Sequence, residues 1–341
     1  MAFLRSTLIV LFLVSGFNQT IGQNTIQVGF WNVENLFDTT NSALTIDDDF
    51  TPSGRYAWTE TQLFKKFSDL SYVIHNISEV QNLALLGLAE IENFEVLDRL
   101  NSEFIKKGYQ IIHKESPDER GIDCGLLYDP SVLTLREQHF IPLFLAGNEK
   151  TRDIIEAEFS YSRSKNQHSL YVFINHWPSR WGGEQKTDPL RRTAARTLRT
   201  RVDQILQNDP DADIIIMGDF NDHPTNESIK TVLRAKPWNP NPYPGDLINT
   251  TWDLHMDPKA GTYVYRGVWG TLDQIIISPG LADLKGFSWV LDSTKPFKPD
   301  YLIESAGNYK GWPYRMYRGG KYYGGFSDHL PITCQLQYSD N

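Results

Sequence analysis

Residues 213–222 read DIIIMGDFND, in which four apolar side chains, Ile214 to Met217, run straight into Gly218, Asp219, Asn221 and Asp222. An unbroken apolar run this short fits a strand buried on both faces rather than an amphipathic helix. The same ending recurs along the chain. FWNVEN (30–35) follows the alternating Ile26, Val28 and Phe30 and supplies Asn32 and Glu34. LALLGLAE (83–90) ends on Glu90, and LYVFINHWPS (170–179) delivers Asn175 and His176. Asp273 sits inside WGTLDQIIIS (269–278), and GGFSDHLPI (324–332) carries Asp328 and His329 just before a last apolar run. Charged groups beside buried strands cost several kcal/mol unless paired or bound to a metal. One such ending is an ordinary turn. Six of them, rich in Asp, Asn, Glu and His, point to a single site assembled at a shared edge of the sheets.

Residue type then limits the chemistry. Carboxylate and amide oxygens are hard ligands, suited to Mg²⁺ or Mn²⁺, with Ca²⁺ also possible, rather than to Zn²⁺. Two histidines with carboxylate neighbours can share acid and base work near neutral pH. There is no serine in a nucleophile elbow and no Walker loop, so metal-assisted attack of water on a phosphate ester fits best.

Between these endings the pattern alternates. Leu63, Phe67, Leu70, Ile74 and Ile77 mark a helix over 59–77. Asn93 is placed to cap a second helix, with Val96, Leu97, Leu100, Phe104 and Ile105 inward and Gly108 as its stop. A third begins after Asp188, with Pro189 suited to its first turn, and runs to about Gln207. Further strands are expected at 109–113, 122–128, 152–159, 169–176, 213–218, 271–277 and 331–338, with long loops at 236–246 and 295–325. Strands broken by a few amphipathic helices imply layered α/β structure.

The ordered set WNVEN, LAEIEN, NHWPS, GDFND, LDQI and SDHLP resembles the endonuclease/exonuclease/phosphatase superfamily, the deoxyribonuclease I-like proteins, from residue 30 to residue 331. The resemblance implies an α/β/β/α sandwich of four layers, two mixed sheets face to face with helices outside, as one domain over residues 23–341. It also implies roles. Glu90 would be the principal metal ligand, with Asn32 binding nearby and orienting the site, and Glu34 and Asp328 further acidic groups at the metal. Asp219 and Asn221 would align the attacking water and stabilise pentacoordinate phosphorus. His329 would contact the phosphate or activate water, held by Asp273. His176 would protonate the leaving oxygen, as in the deoxyribonuclease- and sphingomyelinase-like branches. Arg120 is a candidate phosphate contact. His75, His113, His139, His168 and His255 lack such a context and receive no role.

Length and charge bound the partners. At 341 residues the chain is long enough for about two average domains, yet a single site drawing on residues from Asn32 to His329 implies one. With 33 basic and 42 acidic residues the formal charge is −9, which excludes a broad basic coat for nucleic acid. Two local features allow a nucleic-acid substrate all the same. Arg192, Arg196 and Arg199 fall on one helix face. Residues 294–326 hold Lys295, Lys298, Lys310, Arg315, Arg318 and Lys321 against Asp300 and Glu304, interleaved with nine aromatic residues. Such interleaving suits unpaired nucleotides, rings stacking on bases and cations on phosphates. The expectation is an exported, divalent-metal-dependent nuclease. A lipid phosphodiesterase or inositol phosphate phosphatase is the alternative, and a non-catalytic binding module comes last. No protein partner can be inferred.

Arg5, the apolar run Leu8–Val14 and the small residues Thr20 and Gly22 read as a cleavable export signal over 1–22, placing the mature chain in the periplasm or outside the cell. That run is too short to span a bilayer. Asp47–Asp49 read as a solvated acidic loop. The two cysteines, Cys124 and Cys334, each lie in an alternating apolar run, so buried free thiols and a disulfide both remain open.

Overall fold

The computed structural model describes residues 24–80, 82–166 and 168–340; the expected export signal lies outside them. In chain order the strands begin with Thr25–Leu36 (β1), Leu83–Ile91 (β2), Gln110–His113 (β3), Asp123–Tyr128 (β4), Leu133–Ile141 (β5), Ile154–Tyr161 (β6), Ser169–His176 (β7) and Asp213–Asp219 (β8). They continue with Ala235–Lys236 (β9), Leu247–Asn249 (β10), Tyr263–Tyr265 (β11), Val268–Gly270 (β12), Asp273–Ile277 (β13), Gly286–Trp289 (β14), Lys295–Pro296 (β15), Tyr317–Arg318 (β16), Lys321–Tyr322 (β17) and Ile332–Ser339 (β18). The helices are Glu60–Val80 (α1), Phe94–Arg99 (α2), Glu184–Asn208 (α3) and the short Trp252–Met256 (α4).

Two seven-stranded mixed sheets carry the fold. One runs β14-β18-β1-β2-β4-β3, with β15 also on β18, and the other runs β5-β6-β7-β8-β13-β10-β9. Period-two alternation explains the layers. In β8, Ile215 and Met217 face the opposite sheet, while Ile214 and Ile216 face the outer layer beneath α3. In β1, Val28 and Phe30 enter the core between the sheets, and Trp31 and Val33 turn outward beneath α1. Both faces of the central strands are thus covered, which is why their sequences read as continuous apolar runs. Each buried Leu, Ile or Phe side chain contributes about 1.5–3 kcal/mol. The result is the expected four-layer arrangement of helix, sheet, sheet and helix.

The helices form where the spacing requires. Leu63, Phe67, Leu70, Ile74 and Ile77 of α1 are fully buried, and Asn93 Oδ1 caps α2 by accepting from Val96 N at 2.8 Å. Beyond α2 the chain continues as a wide turn to Ile105, and Lys106, at φ 54°, ends it two residues before the expected Gly108. α3 starts one turn earlier than Pro189 suggested. β5, β14 and the short β9–β12 and β15–β17 were not expected. β5 lies at the edge of its sheet with a mostly exposed, polar sequence, so its apolar alternation is weak. Asp47 is buried rather than solvated, its carboxylate accepting from Ser42 N. Cys124 and Cys334 are buried free thiols, and burial pushes both well above the ordinary thiol range. No helix among the described residues is long and apolar enough to cross a membrane.

Gly218 shows how tightly the site-bearing strands approach. A Cβ there would lie 2.3 Å from the Asn175 carbonyl oxygen and 2.7 Å from the Asn175 Cβ on the neighbouring strand. Gly218→Ala is therefore expected to lower stability by about 1–3 kcal/mol, as overpacking does. A fall in the urea midpoint with an unchanged slope would show it; an unchanged midpoint would mean that β7 and β8 can part at no cost.

Candidate active site

Strand register brings the polar endings together. β7 and β8 are parallel with His176 opposite Asp219, and β8 and β13 are antiparallel with Asp219 opposite Asp273. That lays His176, Asp219 and Asp273 in a row across one sheet. In the facing sheet β1 and β2 are parallel with Asn32 opposite Ala89, which brings Glu90 alongside. His329 arrives just before β18 and bridges Tyr263, whose ring packs 4.7 Å from the imidazole.

The Asn32 amide joins the two rows. Its Nδ2 donates to Glu90 Oε1 at 3.2 Å and to Asp219 Oδ2 at 3.1 Å, while its Oδ1 accepts from Glu34 N at 3.0 Å. Asn35 N completes the hold on Glu90, donating to Oε2 at 2.9 Å. Asn221 is fixed at both ends, its backbone N–H on Asp219 Oδ1 and its Nδ2 on the Trp177 carbonyl. Four of these residues, Glu34, Asn35, Glu90 and Asn221, have φ between 51° and 65°, a left-handed conformation unfavourable for side chains other than glycine. Strained backbone of this kind persists only where its surroundings enforce it, and it concentrates at functional sites.

The two histidines are driven apart in charge. His329 Nδ1 lies 2.7 Å from Asp273 Oδ2, and its Nε2 lies 3.9 Å from Asp219 Oδ2. Burial opposes a charged ring, but the carboxylates of Asp273 and Asp219 outweigh it and hold His329 well above the usual histidine range. His176 is equally buried, with Nε2 3.8 Å from Asp219 Oδ2, yet burial and the positive charges of Arg152, Arg120 and His329 push it well below that range. At neutral pH the site thus pairs an imidazolium with a neutral imidazole, the split that separates acid from base roles. Burial raises Asp219 to about 6, with His329 opposing and Asp273 adding to the rise.

Glu34 and Asp328 share a charged network with Arg315. Glu34 accepts from Met316 N at 2.7 Å, from Tyr317 N at 3.4 Å and from Arg315 Nε at 3.2 Å. Arg315 also pairs with Asp328 at 2.8 Å. Both carboxylates are therefore engaged in anchoring the 295–325 loop. Burial raises Glu34 to about 7, Asp328 adding to the rise. Lys66 on α1 is 1% exposed, donates to the Phe326 carbonyl and bears electrostatically on Glu34, Asp328 and Glu90, and burial lowers it to about 8.

The sequence reading missed Arg315 as a site residue, and it missed Lys66 and Tyr263. Lys66 did leave a signal, since it interrupts the inner stripe of α1 between Leu63 and Phe67. Tyr263 left none. Asp222, the last polar residue of DIIIMGDFND, is fully buried and pairs with Arg191 at 2.8 Å and Arg180 at 3.1 Å. Arg180 also donates to the Asn221 carbonyl at 2.6 Å, so this group holds the loop that carries Asn221.

Of the expected substrate contacts, Arg120 lies within electrostatic reach of His176 and pairs with Asp118. The arginine row does not form. Arg192 pairs with Asp188 and Glu227, Arg196 donates to Thr193, and Arg199 turns inward to Asp203 and the Leu233 carbonyl. Helix geometry gave them one face, but the partners on and beside α3 claim each one separately.

The donor set fits a divalent cation. Glu90 is held by neutral N–H groups and has no cation within ion-pair distance among the described residues, leaving its oxygens beside Asn32 and Asp219 open to a cation. These hard oxygens match Mg²⁺ or Mn²⁺. Asp219, Asp273 and His329 also lie close enough together to resemble a ligand group, but His329 spends Nδ1 on Asp273.

The model of the endonuclease/exonuclease/phosphatase family matches residues 27–338. No curated protein sequence matches the chain. Solved structures with the same fold include the human Nocturnin catalytic domain with bound sulfate, at 19% identity and TM-score 0.54, covering 92% of this chain and 95% of that one. A D. rerio TDP2 complexed with a single-strand DNA product aligns at 14% identity and TM-score 0.55, covering 92% and 99%. An endonuclease/exonuclease/phosphatase family protein from Bacteroides thetaiotaomicron aligns at 12% identity and TM-score 0.56, covering 93% and 99%. Members of this family are metal-dependent phosphoric ester hydrolases. With nearly the whole described chain matched and the motifs gathered at one edge of two mixed sheets, this protein belongs to the endonuclease/exonuclease/phosphatase family.

Proposed function

We propose that the protein is an exported nuclease that hydrolyses phosphodiester bonds in nucleic acid, with unpaired nucleotides as its preferred substrate. One observation carries the substrate assignment. A cavity of about 400 Å³ opens beside the site at Glu34 and Asn35, and it is lined by Phe50, Tyr56, Tyr263, Tyr265, Tyr309, Trp312 and Tyr317 with Arg55, Arg266, Arg315 and Arg318. Flat rings at the wall suit base stacking, worth about 1–3 kcal/mol per base. Arg315 and Arg318 are spent on Glu34, Asp328 and Glu304. Arg55 packs on Tyr56 with one ion pair among the described residues, at 4.0 Å to Asp49, and Arg266 packs on Tyr265 with none. Those two guanidiniums are available to phosphate. The single-strand DNA product in the D. rerio TDP2 structure supports the reading for that fold, and residues 1–22 would direct export.

In the mechanism Glu90, oriented by Asn32, would hold Mg²⁺ or Mn²⁺, which supplies a Lewis acid for the phosphoryl oxygens. Asp219, ionised, accepts the proton of the attacking water that Asn221 helps to position. His329, kept charged by Asp273, donates hydrogen bonds to the phosphate as negative charge accumulates on it. His176 starts neutral, so its protonation, which donation to the leaving oxygen requires, is expected to follow the arrival of the negatively charged substrate.

With Mg²⁺ or Mn²⁺, cleavage of single-stranded DNA or RNA is expected, and Glu90→Ala or His176→Ala should reduce it by at least about a hundredfold. Activity confined to sphingomyelin or inositol phosphates would overturn the nuclease assignment. Trp312→Ala is expected to raise KM for single strands while leaving kcat on a small phosphodiester such as bis(4-nitrophenyl) phosphate unchanged. Because Asp219 must be ionised to act and titrates at about 6, the residual kcat/KM of His176→Ala, which lacks the opposing histidine titration, should rise with pH between roughly 5 and 7. A flat profile over that range would remove Asp219 from the role of base.

A further inference from the structure

Away from the active site, the junction of β3 and β4 holds side chains with the chemistry of a metal-ligand set. His113 ends β3 and Asp123 begins the antiparallel β4, and their side chains are 1% and 2% exposed. His113 Nε2 lies 3.9 Å from Asp123 Oδ2, and neither atom has a hydrogen-bond partner among the described residues. Leaving a buried polar atom unsatisfied is costly, and here two such atoms face each other. Glu115 brings a third ligand; its side chain is 59% exposed, and its Oε1 now rests 4.0 Å from Nδ1, the ring's other nitrogen. One ligand atom from each of the three lies within 4.8 Å of the others. Two ligands at about 2.0–2.2 Å from one ion sit no more than about 4.4 Å apart. The buried pair already meets that spacing, and Glu115 is at the surface, where it is free to swing inward.

We propose that His113, Asp123 and Glu115 bind a Zn²⁺ ion separate from the cation of the catalytic site. An imidazole nitrogen with two carboxylate oxygens favours Zn²⁺ over Mg²⁺ or Ca²⁺, which take oxygen ligands. The exposed side beside Glu115 leaves room for water as a fourth ligand. The ion would close the loop 114–122 at its base. That loop carries Asp118, which pairs with Arg152 at 2.9 Å, and Arg120, and both arginines act electrostatically on His176. The site is thus a clip on the segment that sets the charge environment of a catalytic histidine.

Zn²⁺ titration by calorimetry, with Mg²⁺ in saturating excess, tests this on the full chain. One Zn²⁺ per chain is expected, retained in Glu90→Ala and lost in His113→Ala. Glu115→Gln, a surface change that leaves the core alone, should weaken binding by about tenfold or more, at least the loss typical of removing an outer-shell partner; it carries the test if His113→Ala fails to fold. Absence of Zn²⁺ binding, its loss in Glu90→Ala, or full affinity in Glu115→Gln would overturn the proposal.

Discussion

The Asn32 side-chain amide is the bond on which the site depends. It lies at the end of a strand in one sheet and donates at once to Glu90 beside it and to Asp219 in the opposite sheet. Two sheets that meet largely through apolar side chains are thereby tied at the edge where their charges gather. The amide is neutral, so it orients both carboxylates without cancelling their charge. An arginine or lysine at that position would compensate Glu90 and Asp219 and abolish the negative field that a divalent cation needs. Glu34, Asn35, Glu90 and Asn221 pay for the arrangement in unfavourable backbone conformation, which the packed strands behind them enforce.

Charge compensation is divided sharply around that bond. On one side Arg315 and Lys66 balance Glu34 and Asp328, which ties the aromatic loop of residues 295–325 to the floor of the site. On the other side Glu90 has no cation within ion-pair distance among the described residues, Lys66 acting on it only from farther off. Buried ion pairs contribute little net stability because desolvation offsets their attraction. Their value here is positional: they fix the rings of the cavity wall relative to the reacting groups. The proposed clip at His113 and Asp123 extends the same logic to the loop that carries Arg120.

Much of the fold was legible because its central strands are covered on both faces. DIIIMGDFND and LYVFINHWPS could hardly be anything but buried strands, and α1 declared itself through five apolar residues at helical spacing. β5 escaped notice because an edge strand with one wet face has no continuous apolar run. Glu90, Asp219, His176, Asp273 and His329 were legible as well, each being a polar residue at the end of an apolar strand. Arg315, Lys66 and Tyr263 were not singled out, since their importance lies in contacts to Glu34, Phe326 and His329, residues on other elements that only the fold brings near. The arginines of α3 failed in the opposite direction. Helical spacing put three of them on one face, but each found a different neighbour once packed.

By itself the sequence determined which residues would be buried, which strands would end in polar groups and what kind of cation those groups would suit. Residue type and period-two alternation are local properties, and they survive without knowledge of the partner strands. Only the tertiary structure decided which carboxylates stay uncompensated, which histidine carries a proton and which cations remain open to a substrate. Those outcomes depend on distances of a few ångströms across two sheets and on how deeply each group is buried. Coulomb energies and desolvation are set by that geometry, and no spacing along the chain encodes it.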